Sequence, residues 1–189
     1  LAIIPARGGS KGVPKKNIAK INDIPLIGYT ISAALEVSDL TDIIVSTDDS
    51  EIAEIAKRLG AQVPFIRPNE LANDVAQSAP VIEHALYFME KYNGIKYDSI
   101  LMLQPTSPLR TSKHINEAIE LFGSQECDSV VSIVSVGGNH PFRMKRLVGN
   151  QLINFIDQGF WDMRPRQSLP EVYIRNGAIY LISRDAFKR

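Results

Sequence analysis

Short apolar runs alternate with stretches of helical period along most of the chain, and that alternation limits the fold more than any single residue does. Runs 1–5, 43–46, 62–66, 99–103 and 129–136 read as strands, several of them apolar on both faces. Such runs are expected when helices cover both sides of a parallel sheet. Between them, 25–37, 50–59, 79–92 and 112–122 carry apolar residues three and four apart, Ile52, Ile55, Ala56 and Leu59 forming the plainest stripe. Helix starts are marked by Asp49 or Ser50, by Ser78, and by Thr111 or Ser112, whose side chains can cap exposed N–H groups. The alternation predicts an α/β fold, a Rossmann-like, doubly wound and mostly parallel sheet with right-handed crossovers.

The rhythm changes near Gly137. Residues 137–176 show no clear helix and read as short strands and turns, and the sheet resumes with 178–182. The chain therefore divides into a core over 1–136, an insertion over 137–176 and a return to the core sheet over 177–189. Phe155, Phe160, Trp161 and Tyr173 are too many large apolar groups for a simple loop, and predict packing on the core or on another chain. The chain starts within a strand without methionine and stops at Arg189 just after a strand, so both ends read as trimmed.

Directly after the first strand comes Arg7-Gly8-Gly9-Ser10-Lys11-Gly12. In an open α/β sheet, ligands sit beyond the carboxyl ends of the strands, and this loop lies there. Its glycines let backbone N–H groups approach a phosphate chain closely. Arg7, Lys11 and Lys16 can add charge-assisted hydrogen bonds, typically about 1.5–3 kcal/mol each. The spacing is neither GxxxxGK[ST] nor GxGxxG.

The formal net charge is zero, yet it is unevenly spread. Residues 1–22 hold five positive charges and no acid, 23–142 hold seven positive against seventeen negative, and 143–189 hold nine against four. Two basic segments in a neutral chain suggest a focused anion site rather than a surface that coats nucleic acid. No apolar run approaches the roughly 20 residues of a membrane span, and the opening is too short for a secretory signal. The one cysteine, Cys127, excludes an internal disulfide framework, fits a reducing cytoplasm and reads as a small core residue. His84, His114 and His140 lack metal-ligand spacing and read as structural or exposed.

PARGGSKGVPKKN resembles the signature of the sugar-acid cytidylyltransferases. Three further stretches resemble the acylneuraminate branch: Arg67-Pro68 with Glu70-Leu71-Ala72, then Leu103-Gln104-Pro105-Thr106-Ser107-Pro108-Leu109-Arg110, and Arg175-Asn176-Gly177-Ala178-Ile179-Tyr180. They stand in the family's order, and the similarity covers essentially the whole chain.

The resemblance implies a fold of the nucleotide-diphospho-sugar transferase type and transfer of CMP from CTP to the anomeric hydroxyl of a nonulosonic acid. It implies that Lys16 and Arg7 act on the reacting phosphates, Lys16 at the α-phosphate. Gly8, Gly9, Ser10, Lys11, Asn17, Arg67 and Ser78 would hold CTP, and Ser78 could also cap a helix. The sugar acid would fall to Gln104, Thr106, Ser107, Arg166, Arg175 and Asn176. Residues 137–176 would be a small β-rich dimerisation element, Arg166 reaching the neighbouring subunit's site in a homodimer. Arg110 either binds an anion or pairs with an acid near the following helix.

The resemblance also implies a divalent cation, Mg²⁺, but the family's metal-binding aspartates follow the NGAIY strand and lie beyond residue 189. Asp48 and Asp49 read instead as a turn and helix cap, so no metal ligand is named. The expected partners are CTP and a nonulosonic acid in the cytoplasm, with neither nucleic acid nor membrane. Three alternatives stay open: CMP-Kdo synthesis, transfer to another acceptor, and a non-catalytic nucleotide-binding module.

Overall fold

The computed structural model describes residues 1–10, 12–73, 77–157, 159 and 163–189. Lys11, Phe160 and Trp161, all singled out in the sequence, lie outside the described residues. In chain order the elements are β1 (Ala2–Pro5), β2 (Lys20–Ile21), β3 (Ile24–Pro25), α1 (Leu26–Leu35), β4 (Ile43–Ser46), α2 (Ser50–Arg58) and α3 (Ser78–Asn93). Then follow β5 (Ser99–Met102), α4 (Ser112–Ser124), β6 (Ser129–Ser135), β7 (Lys145–Val148), β8 (Gln151–Asn154), β9 (Tyr173–Ser183) and α5 (Arg184–Phe187). The chain forms two compact units: Leu1–Ser132 with Gly177–Arg189, and Ile133–Asn176.

The first unit is built on a five-stranded sheet ordered β4-β1-β5-β9-β6. β1 pairs parallel with β4, Pro5 opposite Ser46, and parallel with β5, Ile3 opposite Met102. β9 runs antiparallel to β5, Tyr180 opposite Met102, so the sheet is mixed and mostly parallel. Neighbouring residues of one strand serve opposite faces. Ala2, Ile4, Val45, Leu101 and Leu103 pack with Ile27 and Ile31 of α1, Ile52 of α2 and Ile115 of α4. Ile3, Ile44, Ile100 and Met102 pack with Ile82, Ala85, Leu86 and Met89 of α3. Burying a side chain such as Ile3 or Ile4 contributes roughly 1.5–3 kcal/mol, which is why these strands carry no polar face.

Two sequence expectations fail here. Residues 62–66 form no strand: Gln62 makes a single parallel bridge with Ile44, and the next bond of the segment to β4's line is Arg67 N–H to the Thr47 carbonyl. Pro64, between them, has no N–H to offer a ladder. Cys127 is exposed in the loop before β6 rather than buried. The β2–β3 hairpin was not anticipated. Its turn, Asn22-Asp23, takes positive φ at both positions, 47° and 63°, the backbone of a two-residue hairpin of matching twist.

Helix caps are partly as expected. Asp49 accepts from the N–H groups of Glu51 and Ile52 at 2.8 and 3.1 Å. Thr111 caps α4 in a capping box whose reciprocal member is His114, its Nδ1 accepting the Thr111 N–H at 3.1 Å. Ser78 is no cap: it is the first residue of α3, and Gln77 before it makes no side-chain cap bond.

The second unit contains the β7–β8 hairpin, Lys145 opposite Asn154. His140 is buried there: its Nδ1 accepts the Phe142 N–H at 3.1 Å, which leaves Nε2 to donate to the Pro170 carbonyl at 3.1 Å. Phe155 and Tyr173 are exposed, at 62% and 49%. No helix among the described residues is long and apolar enough to cross a membrane.

Candidate active site

At the carboxyl ends of β1 and β5 a cavity of about 280 Å³ opens. One wall is the loop after β1, with Arg7, Ser10, Lys16 and Asn17. A second is the 67–78 segment, with Arg67, Asn73, Gln77 and Ser78, and a third is the loop after β5, with Gln104, Pro105 and Thr106.

The first wall is built by anchoring a loop that has little regular structure of its own. The Gly8 N–H donates to Asp48 Oδ1 at 3.0 Å. A Cβ on Gly8 would lie 2.6 Å from Asp49 Oδ2 and 2.9 Å from Asp49 Cβ, so the loop comes as close to the start of α2 as a bare backbone permits. Asn17 is buried, its amide donating to the Arg7 carbonyl at 2.9 Å. Lys15 takes φ 50° and pairs with Glu51, and Lys16 then opens the single 3-10 turn Lys16–Ile18. Lys16, half-buried, and Arg7 thus present two cations to one cavity, the charge arrangement a polyphosphate needs.

Arg67 is buried at 4% exposure. Its Nε donates to Ser46 Oγ at 3.0 Å, its Nη2 to the Ser46 carbonyl, and its Nη1 reaches the Leu71 carbonyl at 3.5 Å. Burial lowers its pKa to about 10, against the attraction of Asp48 and with the repulsion of Arg7, so it stays charged at neutral pH. His84, on α3, packs edge-on against Phe65 at 4.7 Å, and its pKa is lowered by burial and then by Arg67. It is a neutral packing group and lines no part of the cavity.

On the third wall, Gln104 Oε1 would lie 2.8 Å from a Cβ on Gly177, which takes φ 79°. The glycine of the 175–180 stretch therefore makes room for Gln104. Thr106 lines the cavity, and Ser107 N–H turns back to the Gln104 carbonyl at 3.4 Å. Arg110 is buried and donates to the carbonyls of Gln104 and Ala178, and among the described residues it pairs with no acid. Arg166, Arg175 and Asn176 belong to the second unit, where Arg166 Nη2 would meet a Cβ on Gly137 at 3.4 Å.

Among the described residues no group of three or more His, Cys, Asp or Glu could hold a metal ion. Asp48 and Asp49, the acids nearest the glycine loop, are engaged by Gly8 and by the cap of α2. These residues do not fit a resident metal centre.

Sequence reading missed Asp48 as the anchor of the loop, and missed Asn73 and Gln77 as cavity residues. No local signal marked the first, because it depends on the parallel register of β1 and β4. With Pro5 opposite Ser46, the residues following β1 and β4 must meet.

An open, mostly parallel sheet whose carboxyl edge carries a cationic glycine loop over a polar crevice has the build of an α/β nucleotide-binding protein. The chain belongs to the cytidylyltransferase family, whose model matches residues 1–150. It is 37% identical over 185 residues to the post-translational flagellin modification protein B of Campylobacter coli, covering 98% of this chain and 77% of that one. It is 39% identical over 189 residues to the N-acylneuraminate cytidylyltransferase of Escherichia coli, covering 99% of this chain but only 43% of that protein. It is 36% identical over 185 residues to the CMP-N,N'-diacetyllegionaminic acid synthase of Legionella pneumophila, covering 96% and 76%. In fold it is similar to a CMP:2-keto-3-deoxy-manno-octonic acid synthetase solved with CTP, with a TM-score of 0.69 at 19% identity over 100% of this chain and 75% of that one.

Proposed function

We propose that this protein transfers CMP from CTP to the anomeric hydroxyl of a nonulosonic acid. The hydroxyl oxygen attacks the α-phosphorus, the bond from that phosphorus to the bridging oxygen breaks, and pyrophosphate leaves with the bonding pair while the hydroxyl proton passes to solvent water. The observation that carries this reading is one cavity with two kinds of wall. Arg7 and Lys16 supply cations on one side, and Gln104 and Thr106 supply neutral polar groups on the other.

Cations held in place before reaction stabilise the charge that builds on the α-phosphate and on the departing pyrophosphate. Lys16, a compact charge on a flexible stem, is assigned to the α-phosphate, with Arg7 beside it. Gly8, Gly9, Ser10, Lys11, Asn17, Arg67 and Ser78 are assigned to CTP. Neutral amide and hydroxyl groups suit a polyhydroxylated, N-acylated acceptor, and Gln104, Thr106 and Ser107 are assigned to it with Arg166, Arg175 and Asn176. Mg²⁺ is assigned as a companion of the triphosphate, which binds it in solution. Residues 137–176 are assigned to a homodimer contact, supported by the exposure of Phe155 and Tyr173. The reaction is assigned to the cytoplasm, where CTP is made.

The test is pyrophosphate release by the purified protein with each nucleoside triphosphate against N-acetylneuraminate, legionaminate, pseudaminate, Kdo and sugar phosphates. Turnover with CTP and a nonulosonic acid is expected, and Lys16→Ala should lower it by well over tenfold, at least about 1.4 kcal/mol of transition-state stabilisation, with an unchanged fold. Turnover with a sugar phosphate and with none of the nonulosonic acids would overturn the proposal.

A further inference from the structure

Arg110 is 5% exposed, yet among the described residues it has no carboxylate partner. One nitrogen, Nη1, donates to two carbonyls, those of Gln104 at 3.1 Å and of Ala178 at 2.8 Å. Its Nε and Nη2 are buried without an acceptor among the described residues. Burial lowers its pKa to about 10, so the group remains a cation at neutral pH. A leucine or methionine would fill such a space with no unanswered donors. What a long cationic donor supplies there, and an apolar side chain does not, is a tie between the loop after β5 and the core part of β9.

That tie ends on Gln104 from one side while Gly177 meets it from the other. The Gln104 carbonyl is held by Arg110, and its Oε1 rests where a Cβ on Gly177 would stand. Gln104 faces the cavity, and Arg110 is not among the residues that line it. The bonds of Arg110 thus fix the backbone that carries Gln104, and Gly177 leaves one space for its side chain. We propose that Arg110 is a positioning residue for the acceptor half of the cavity, setting Gln104 against the sugar acid without touching substrate itself. The proposal rests on the assignment of Gln104 to the acceptor.

Steady-state kinetics on wild type, Arg110→Met, Arg110→Lys and Gly177→Ala, with calorimetric titration of CTP into each, test it. Arg110→Met should raise KM for the sugar acid at least about tenfold while the Kd for CTP stays within about twofold. Arg110→Lys should recover most of the loss, since one ammonium can donate to both carbonyls. Gly177→Ala, which displaces Gln104 Oε1 and keeps the arginine, should reproduce the acceptor-only effect. CTP affinity falling in step with sugar-acid affinity, or no change in either, or no rescue by lysine, would each overturn the proposal. Should Arg110→Met fail to fold, an unchanged sugar-acid KM in Gly177→Ala overturns it. A wild-type protein that binds CTP and turns over no nonulosonic acid removes the acceptor assignment and this proposal together, whereas a failure confined to the variants removes this proposal alone.

Discussion

The Gly8 backbone donates its N–H to the carboxylate of Asp48 at 3.0 Å, so the loop after β1 hangs from the loop after β4. The bond follows from strand register, since Pro5 and Ser46 are level in neighbouring parallel strands. A carboxylate acceptor makes this a charge-assisted bond, typically worth about 1.5–3 kcal/mol. Asp48→Ala is therefore expected to weaken CTP binding about tenfold, with little loss of helix content. Calorimetric titration of CTP measures it, and unchanged affinity would show the loop needs no anchor.

Gly8→Ala tests the same place from the other side. The new Cβ would stand 2.6 Å from Asp49 Oδ2 and 2.9 Å from Asp49 Cβ, and the second of these cannot swing away. Either the loop or the first turn of α2 must shift. The expected result is an unfolding temperature below wild type together with weakened CTP binding. A variant equal to wild type in both would contradict the close approach.

Ser78→Ala separates a cap from a ligand. Loss of a capping serine typically costs about 1 kcal/mol, but Ser78 is the first residue of α3 and carries no cap bond. Its substitution should change stability by less than about 0.5 kcal/mol, as at an ordinary surface position, and should still weaken CTP binding. Denaturant unfolding and CTP titration read the two effects independently.

Acid sensitivity should be traceable to Glu90. Arg184 donates to it through Nε at 2.5 Å and Nη2 at 3.0 Å, and this pairing holds the Glu90 pKa below its ordinary value of 4.5. The unfolded chain then binds the proton more readily than the folded one. The stability this contributes is present above pH 4.5 and is lost as pH falls through the folded value. Glu90→Gln should be less stable than wild type at pH 7, with the difference shrinking below pH 4.5. Unfolding curves across pH 3–7 check it, and parallel curves would reject the assignment.

The parts of the fold legible in the sequence are those decided within a few residues. Ile3 and Ile4 bury against opposite helices, and a strand apolar on both faces announces that arrangement by itself. Asp49 and Thr111 cap within their own turns, which local spacing reveals. Residues 62–66 looked like a strand because their side chains suit one, but Pro64 removes the donor, and apolarity does not record hydrogen bonding. The direction of β9 was equally hidden, since an apolar run reads the same in either sense.

In the cavity, the glycine loop was legible because its chemistry is contiguous, from Arg7 to Asn17. Asp48 and Arg110 were not, because each acts on a backbone group whose position depends on strand pairing or loop closure. Arg110 is the sharper case. A charge in sequence suggests an anion or an acid, and does not announce the two carbonyls that folding brings to it.

β9 has one further consequence. Laid in the opposite sense to β5, it brings Gly177 against Gln104 and Ala178 to Arg110 before the strand runs back across the sheet. A single wall is thus written twice in the gene, in codons far apart. Engineering that varies one stretch alone would search mostly broken combinations, and retuning the acceptor calls for both to be varied as one cassette.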